Sequence, residues 1–379
     1  MTPALTLPRR LSRWALTLAA ATLPWLALPA RADLLIGQTT DLSGPSAASV
    51  AECNAGAKLV FDAVNAQGGI NGQPIRLITL DDAYEPAKAA TNAKALIDQG
   101  VLALFLNRGT PHTQAMLPLL AQYQVPMVAP STGAMLLRQP VNPWVWNVRA
   151  SYQHEAARTV SHLLKIGASR VALLQADDTF GSDAVLGALQ ALKDADKRPV
   201  LHLKFDRSKP DFATLIPAVI KADAQAVLII GSTAAVADAI HQLRDAGSHA
   251  LAATLSNNAS AGFIKALGAQ GRGVLVSQVF PPERSGASGF VRGAQDLVRA
   301  HPGMELSPQM IEGYAGARVL VEALRKAGPK PDRASLRKAL DSLGPLDLDG
   351  LKLNWSPTNH DGLDYADLSI IDGAGRYRR

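Results

Sequence analysis

One feature constrains this chain more than any other. Short, uninterrupted apolar runs alternate with amphipathic helical stretches along almost its whole length. "LLIGQTT" precedes "AECNAGAKLVFDAVNAQ", "PIRLITLDD" precedes "PAKAATNAKALIDQ", and "VLALFL" precedes "HTQAMLPLLAQY" and then "PMVAP". After "WVWNVRASY" the pattern restarts. "RVALLQADD", "VLHLKFDR", "AVLIIGS", "ALAATLS" and "GVLVSQVF" are interleaved with helices such as "EAARTVSHLLKIG" and "AAVADAIHQLRDAG". Continuous apolar strands are buried on both faces, so this alternation predicts βαβ units and parallel sheets covered by helices on each side. Two sets of units predict two open α/β sheets, each with its own core. No glycine-serine or charged linker divides them, and the joins fall in short ordered strands near Val148, Val279 and Tyr365. Several crossings between halves suit a hinge.

The first 32 residues read as an address. "PRRLSRW" is basic, "ALTLAAATLPWLAL" is apolar, and "ARA" before Asp33 is a small-x-small cleavage signal. This is the secretory pattern, so residues 1–32 are expected to be a cleaved signal peptide and the remainder exported. Arg9, Arg10, Arg13 and Arg31 account for four of the six net positive charges, which leaves +2 on residues 33–379. Such a balance gives no basis for nucleic-acid binding. Cys53 is the only cysteine, so no internal disulfide forms, and it reads as a small buried hydrophobe on a helix.

Catalytic patterns are absent. There is no G-x-x-x-x-G-K-[ST], no G-x-G-x-x-G after the first strand and no G-x-S-x-G. The eight histidines are scattered, and His154-Glu155 lacks the second histidine of a zinc helix. No metal, cofactor or catalytic residue is expected. His112 reads as a solvated residue at a helix start, and Asp81-Asp82 as turn-capping carboxylates at a strand end.

Ligands of open parallel sheets bind outside the carboxyl ends of the strands. Those ends carry "TTDLSGPSA", "DDAYEP", "NRGTPHT" and "PSTGA" in the first set, and "ADDTFGSD", "GSTAA" and "SNNAS" in the second. Hydroxyls, amides and glycines dominate, which suits a small polar solute held by neutral hydrogen bonds and helix N-termini. In "NRGTPHT", Gly109 permits a tight turn, Thr110 or Thr113 is positioned to cap the next helix, and Pro111 suits its first position. The helix start would attract a carboxylate, Thr110 adding its hydroxyl and Arg108 a charge. Ser43, Tyr84 and Asn257 at neighbouring strand ends are further candidates.

The stretches "IGQTTDLSGPSA", "AVNAQGGINGQPIRLITLDDAYEPAKA", "VPMVAPSTGA" and "VWNVRASYQHE" resemble the periplasmic solute-binding proteins of the leucine/isoleucine/valine-binding type, receptors of ABC importers. The resemblance runs through essentially all of residues 33–379. It implies two Rossmann-like lobes joined by three crossovers. Lobe I is expected at 33–149 plus 279–365, and lobe II at 150–278 plus 366–379. It also implies a small-molecule solute as ligand, inner-membrane permease subunits as partners, a monomer, and no enzymatic activity. The family's carboxylate-binding hydroxyl falls on Thr110. Its contacts after the fourth strand fall on Ser131 and Gly133, with Thr132 beside them, and its stacking aromatic falls on Phe180. The acid that holds an amino group falls near Ser256, with no acid close by. Other aromatic contacts fall near Ser49 and Ser232, and the disulfide positions on Tyr84 and Gly109. These departures favour an organic acid or amide over an ordinary amino acid. A regulatory sensor on the same fold, or an enzyme using the cleft, are the alternatives.

Overall fold

In a computed structural model, residues 1–3 and 32–379 are described. Most of the expected signal peptide therefore lies outside the described residues. The first sheet comprises β1 (Leu34–Thr40), β2 (Ile75–Asp81), β3 (Ala103–Phe105), β4 (Met127–Val128) and β5 (Val145–Trp146), in the order β2-β1-β3-β4-β5. Every pairing is parallel, with Leu34 opposite Ile75 and Thr40 opposite Asp81. The crossovers are α1 (Ala47–Ala66), α2 (Pro86–Asp98) and α3 (Thr110–Tyr123).

The second sheet holds β6 (Val171–Ala176), β7 (Leu201–Phe205), β8 (Ala226–Ile230), β9 (Leu251–Thr254) and β10 (Leu275–Gln278). Its crossovers are α4 (Tyr152–Lys165), which leads in, then α5 (Thr179–Asp194), α6 (Phe212–Lys221), α7 (Thr233–Asp245) and α8 (Ala261–Leu267). Alternate residues explain its unbroken apolar runs. Val171 and Leu173 of β6 pack with Val160 and Tyr152 on one face. Ala172 and Leu174 pack with Phe212 and Ile240 on the other.

The chain then returns to the first sheet. α9 (Gly289–Arg299), α10 (Pro308–Ala327), α11 (Arg333–Asp341) and the hairpin β11 (Leu346–Leu348)–β12 (Leu351–Leu353) follow. Phe290, Ile311, Tyr314, Leu320 and Leu336 join Ile36, Phe61 and Phe105 in one core. β13 (Asp367–Ile371) and β14 (Tyr377–Arg378) finally return to the second sheet, giving the order β14-β13-β10-β9-β8-β6-β7. Both of these strands pair antiparallel, unlike the rest of the sheet. β13 arrives from the first sheet rather than over a crossover helix, and so enters against the direction of β10.

α1 and α10 lie unusually close. A Cβ added at Gly56 would sit 1.9 Å from the Met310 carbonyl oxygen, and one at Gly313 would sit 1.8 Å from that of Cys53. Cys53 is buried in this seam, and burial raises its thiol pKa well above the ordinary value. Gly56→Ala is expected to cost about 1–3 kcal/mol by overpacking. A shift of the urea midpoint at constant slope would measure it, and an unchanged midpoint would mean the helices part freely.

Candidate functional site

In each sheet the chain reverses its winding direction next to the first strand of the set, between β1 and β3 and between β6 and β8. Such switch points open crevices at the carboxyl ends of the strands. Here the two crevices face each other, and the loops leaving both sheets meet. The Ala234 N–H at the start of α7 donates to the Pro45 carbonyl at 3.2 Å. The Met135 N–H donates to Asp183 Oδ1 at 3.0 Å. The Ala261 and Gly262 N–H groups of α8 donate to the Glu52 carboxylate of α1 at 3.0 and 2.8 Å.

The turn after β3 is fixed by the ladder. Ser131 N–H donates to the Asn107 carbonyl at 2.9 Å, so the β3–β4 pairing continues past both strands. Gly109, at φ 92°, is the N-cap of α3. Thr110 and Thr113 do not cap the helix as expected. The N-cap position falls one residue earlier, on a glycine without a side chain. Pro111 accordingly stands second in the helix rather than first. The Thr110 hydroxyl lies 2.7 Å from that of Thr132, both buried, and the Thr113 hydroxyl donates to the Gly109 carbonyl at 2.8 Å.

Arg108 is 4% exposed and reaches across the crevice. Nη1 donates to Ser131 Oγ at 3.1 Å, and Nη2 donates to Ser49 Oγ at 3.1 Å and to the Asn257 carbonyl at 2.6 Å. All three acceptors are neutral. Among the described residues no carboxylate lies within ion-pair distance of this cation. Ser131 Oγ in turn donates to Glu312 Oε1 at 2.7 Å.

From there the network runs to Arg149, 1% exposed. Its Nη2 donates to Glu155 Oε1 and Ser256 Oγ, each at 2.5 Å, and Nη1 lies 3.5 Å from Glu312 Oε1 without hydrogen-bond geometry. Glu155 Oε2 accepts from the Ser256 N–H at 2.9 Å and the Ser277 hydroxyl at 2.6 Å, so an acid does stand beside Ser256, contrary to expectation, because α4 brings it there from 101 residues away in sequence. The Arg149 guanidinium stands 4.7 Å from the Tyr152 ring centroid, and Tyr152 meets the Phe180 ring at 4.7 Å. Gly133 is the floor beneath this stack. A Cβ there would lie 2.6 Å from the Tyr152 nitrogen.

A second cluster closes the mouth. Arg207, after β7, stacks 3.8 Å over the Tyr84 ring, donates to Asp178 Oδ2 at 2.6 Å, and places Nη2 3.4 Å from His112 Nδ1. His112 is buried, not solvated as expected, because Tyr84 and Arg207 cover it. Burial, reinforced by the Arg207 charge, holds its pKa down at about 3. Asp82 is fully buried, and burial pushes its carboxyl up to about 7. His112 Nε2 stands 3.8 Å from Asp82 Oδ1. That distance suggests an ion pair, yet both shifts run the other way, so between about pH 4 and 6 the two face each other as neutral groups. Asp81, by contrast, is held down at about 2, chiefly by the Ser43 hydroxyl. Beside the stack lies a cavity of about 540 Å³ bounded by Pro45, Tyr84, Arg207 and Ser232. A larger one, of about 940 Å³, lines up with Leu102, Trp144 and Arg333 at the opposite, amino ends of β3 and β5, away from the crevice.

Arg108, Ser131 and Asn257 therefore meet directly, Thr110 and Thr132 meet beside them, and Phe180 joins through Tyr152. Tyr84 belongs to the mouth. Ser43 stands apart, exposed, with its hydroxyl donating to Asp81 Oδ2 at 2.6 Å. Arg149, Glu312 and Arg207 were not singled out from the sequence, and Glu155 was read only with His154, as an incomplete zinc pattern. Among the described residues no group of His, Cys, Asp and Glu could hold a metal ion, and no helix is long and apolar enough to cross a membrane.

The family model described as periplasmic binding protein matches residues 34–368. The chain is 26% identical over 340 residues to the Leu/Ile/Val-binding protein homolog 3 of Brucella melitensis, covering 87% of this chain and 89% of that one. A substrate-binding periplasmic protein from Ralstonia solanacearum superposes with TM-score 0.85 at 29% identity, over 91% of this chain and 99% of that one. A possible leucine/isoleucine/valine-binding protein from Rhodopirellula baltica gives TM-score 0.85 at 28% identity, over 92% and 97%.

Proposed function

The chain belongs to the periplasmic binding protein family, and on that premise we propose that it is the exported receptor of an ABC importer. It captures a small carboxylate- or amide-bearing solute by hinge closure, leaves it chemically unchanged, and presents it to permease subunits in the inner membrane. The moving bodies are residues 33–149 with 279–365, and 150–278 with 366–379. Relatives named for branched-chain amino acids support the receptor role. Closure sequesters the guest and completes a surface drawn from both lobes, so the filled receptor differs from the empty one.

One observation carries this reading. Arg108, a buried cation with only neutral partners, stands where the two crevices meet and bridges them through the Asn257 carbonyl. A buried guanidinium without a direct counter-ion is a site for an anionic or strongly polar oxygen. Thr110, Ser131, Thr132 and Gly133 then shape one wall and Phe180 the other, with Tyr84 and Asn257 at the edges.

A thermal-shift panel of amino acids, aromatic acids, dicarboxylates and amides is expected to find a class that raises the melting temperature. A ligand at 100 times its Kd adds about 2.7 kcal/mol. The best ligand should be recovered unaltered after prolonged incubation. Arg108→Gln should weaken its binding by about 30-fold or more. Full affinity in that variant, or turnover of the ligand, would overturn the proposal.

A further inference from the structure

The chain passes between the two sheets after β5, after β10 and before β13. β5 is one edge of the first sheet, and β10 and β13 are neighbours near the β14 edge of the second. The opposite edges are β2 and β7. Each lies four strand spacings from β5 or β10, about 19 Å at ~4.8 Å per spacing. Tyr84 follows β2 and Arg207 follows β7, and at this far edge the guanidinium stacks 3.8 Å over the ring. Each half is fixed from its own side. Asp178, the N-cap of α5, accepts the Gly181 N–H at 2.8 Å through Oδ1 and Arg207 Nη1 at 2.6 Å through Oδ2. Ala83 and Tyr84 are consecutive non-glycine residues in the left-handed region, at φ 50° and 64°. Asp81 Oδ1 accepts the Ala83 N–H at 2.9 Å, and Asp82 Oδ1 accepts the Tyr84 N–H at 3.0 Å. Two side-chain-bearing residues in succession there are unfavourable backbone, kept only where the surroundings over-determine it. The strained turn carries the Tyr84 ring to Arg207, with the His112 ring 5.3 Å beside it.

We infer that Arg207 and Tyr84 form a clasp across the free edge of the hinge, which holds the closed form and sets how fast a bound solute leaves. The inference rests on the receptor reading above and adds the control of release to it. Leverage favours this position. A rotation about the crossings moves the β2 and β7 ends furthest apart, so a contact there opposes opening most effectively. Both halves are ordered before they meet, so closing immobilises few further rotamers. Opening strips the guanidinium of the ring face and of His112 Nδ1, but Asp178 stays with it on its own side, so no charge is left unpaired. The clasp is therefore reversible. A cation over a desolvated aromatic face corresponds to about 3- to 30-fold in an equilibrium or a rate. Arg207 bonds to Asp178 and His112, not to Thr110, Ser131 or Arg108. It is a positioning residue, acting on release through closure rather than by holding the guest.

The test uses the whole exported chain with nitroxide labels at Thr91→Cys on α2 and Ala213→Cys on α6, both exposed, on the helices that follow the two halves of the clasp. Buried Cys53 stays unlabelled. In ligand-free protein, pulsed electron spin resonance is expected to show short and long label distances. Their ratio should fall about threefold or more in Arg207→Met, with the parent's circular dichroism retained. Arg207→Lys keeps the charge beside Asp178 but not the planar stack, and should recover only part of the ratio. Coincident distance distributions in parent and Arg207→Met overturn the inference and leave the receptor reading standing. Surface plasmon resonance with L-leucine, 3-phenylpropanoate and succinate supplies the rates. For each that binds, koff should rise about threefold or more in Arg207→Met while kon stays within about twofold. A loss carried by kon and fully restored by lysine would make Arg207 a steering charge, and also overturns the clasp. If neither these three nor the wider panel binds, the receptor reading falls, and the distance ratio still decides the clasp.

Discussion

Arg149→Met is expected to destabilise the protein by about 3–5 kcal/mol, the usual cost of removing one partner from a buried ion pair. Arg149 is 1% exposed and lies between Glu155, fully buried, and Glu312, 5% exposed. Without it, Glu155 keeps the Ser256 N–H and the Ser277 hydroxyl but loses its only cation. Neutral hydrogen bonds do not replace a counter-ion in a dry interior. The methylene stem of methionine fills much of the space, so the loss isolates charge rather than packing. Adding Glu155→Gln to Arg149→Met should then restore about 1 kcal/mol or more, because the stranded charge is gone. Urea unfolding at constant slope measures both. A single variant within about 1 kcal/mol of the parent would mean that the network is not held by charge.

Much of the fold was legible in the sequence for a simple reason. "LLIGQTT" is β1 in full, and the other buried strands announce themselves because both their faces are apolar. The antiparallel return of β13 was not legible. "DLSII" has a strand's composition, but composition does not encode direction. In the site, the turn after β3 drew notice for its glycine and hydroxyls, and Arg108 for its charge beside a buried strand. The burial of His112 was missed because it depends on Arg207, 95 residues away in sequence. The Arg149 network was missed for a similar reason. Glu155 and Glu312 come from different helices, and no local spacing joins them. One signal was available. In "PQMIEGYAGARVLVEAL" a glutamate interrupts a face of apolar and small residues, and a buried position on such a face rarely carries an acid without a partner.

Removing either member of the Asp82–His112 pair should uncover a steep pH dependence that the parent protein hides. Asp82 titrates at about 7 in the folded protein, against 3.8 unperturbed. Between those values the folded state binds more protons than the unfolded one, so this group's contribution to stability falls as pH rises from about 4 to 7. His112 titrates at about 3, against 6.5. Between those values the unfolded state binds more protons, so its contribution rises as pH rises from about 3 to 6.5. The slopes oppose each other over nearly the same window, and together they leave it almost flat. Each shift of roughly three pK units is worth about 4 kcal/mol, at ~1.4 kcal/mol per unit. His112→Gln should therefore lose a few kcal/mol as pH rises from 4 to 7, and Asp82→Asn should gain a similar amount from 3 to 6.5. The groups facing the pair include the Arg207 guanidinium at 3.4 Å from His112, the Tyr84 ring, and the Thr39 hydroxyl, which donates to Asp82 at 3.2 Å. Arg207 follows β7 of the second sheet, and the pair stands at strand ends of the first. Between about pH 4 and 6 both groups are uncharged, and binding by the parent should hold steady across that range. Stability curves measured by urea unfolding at several pH values decide the matter. Parallel curves for parent and both variants, or slopes of the opposite signs, would mean that the two side chains do not face each other uncharged.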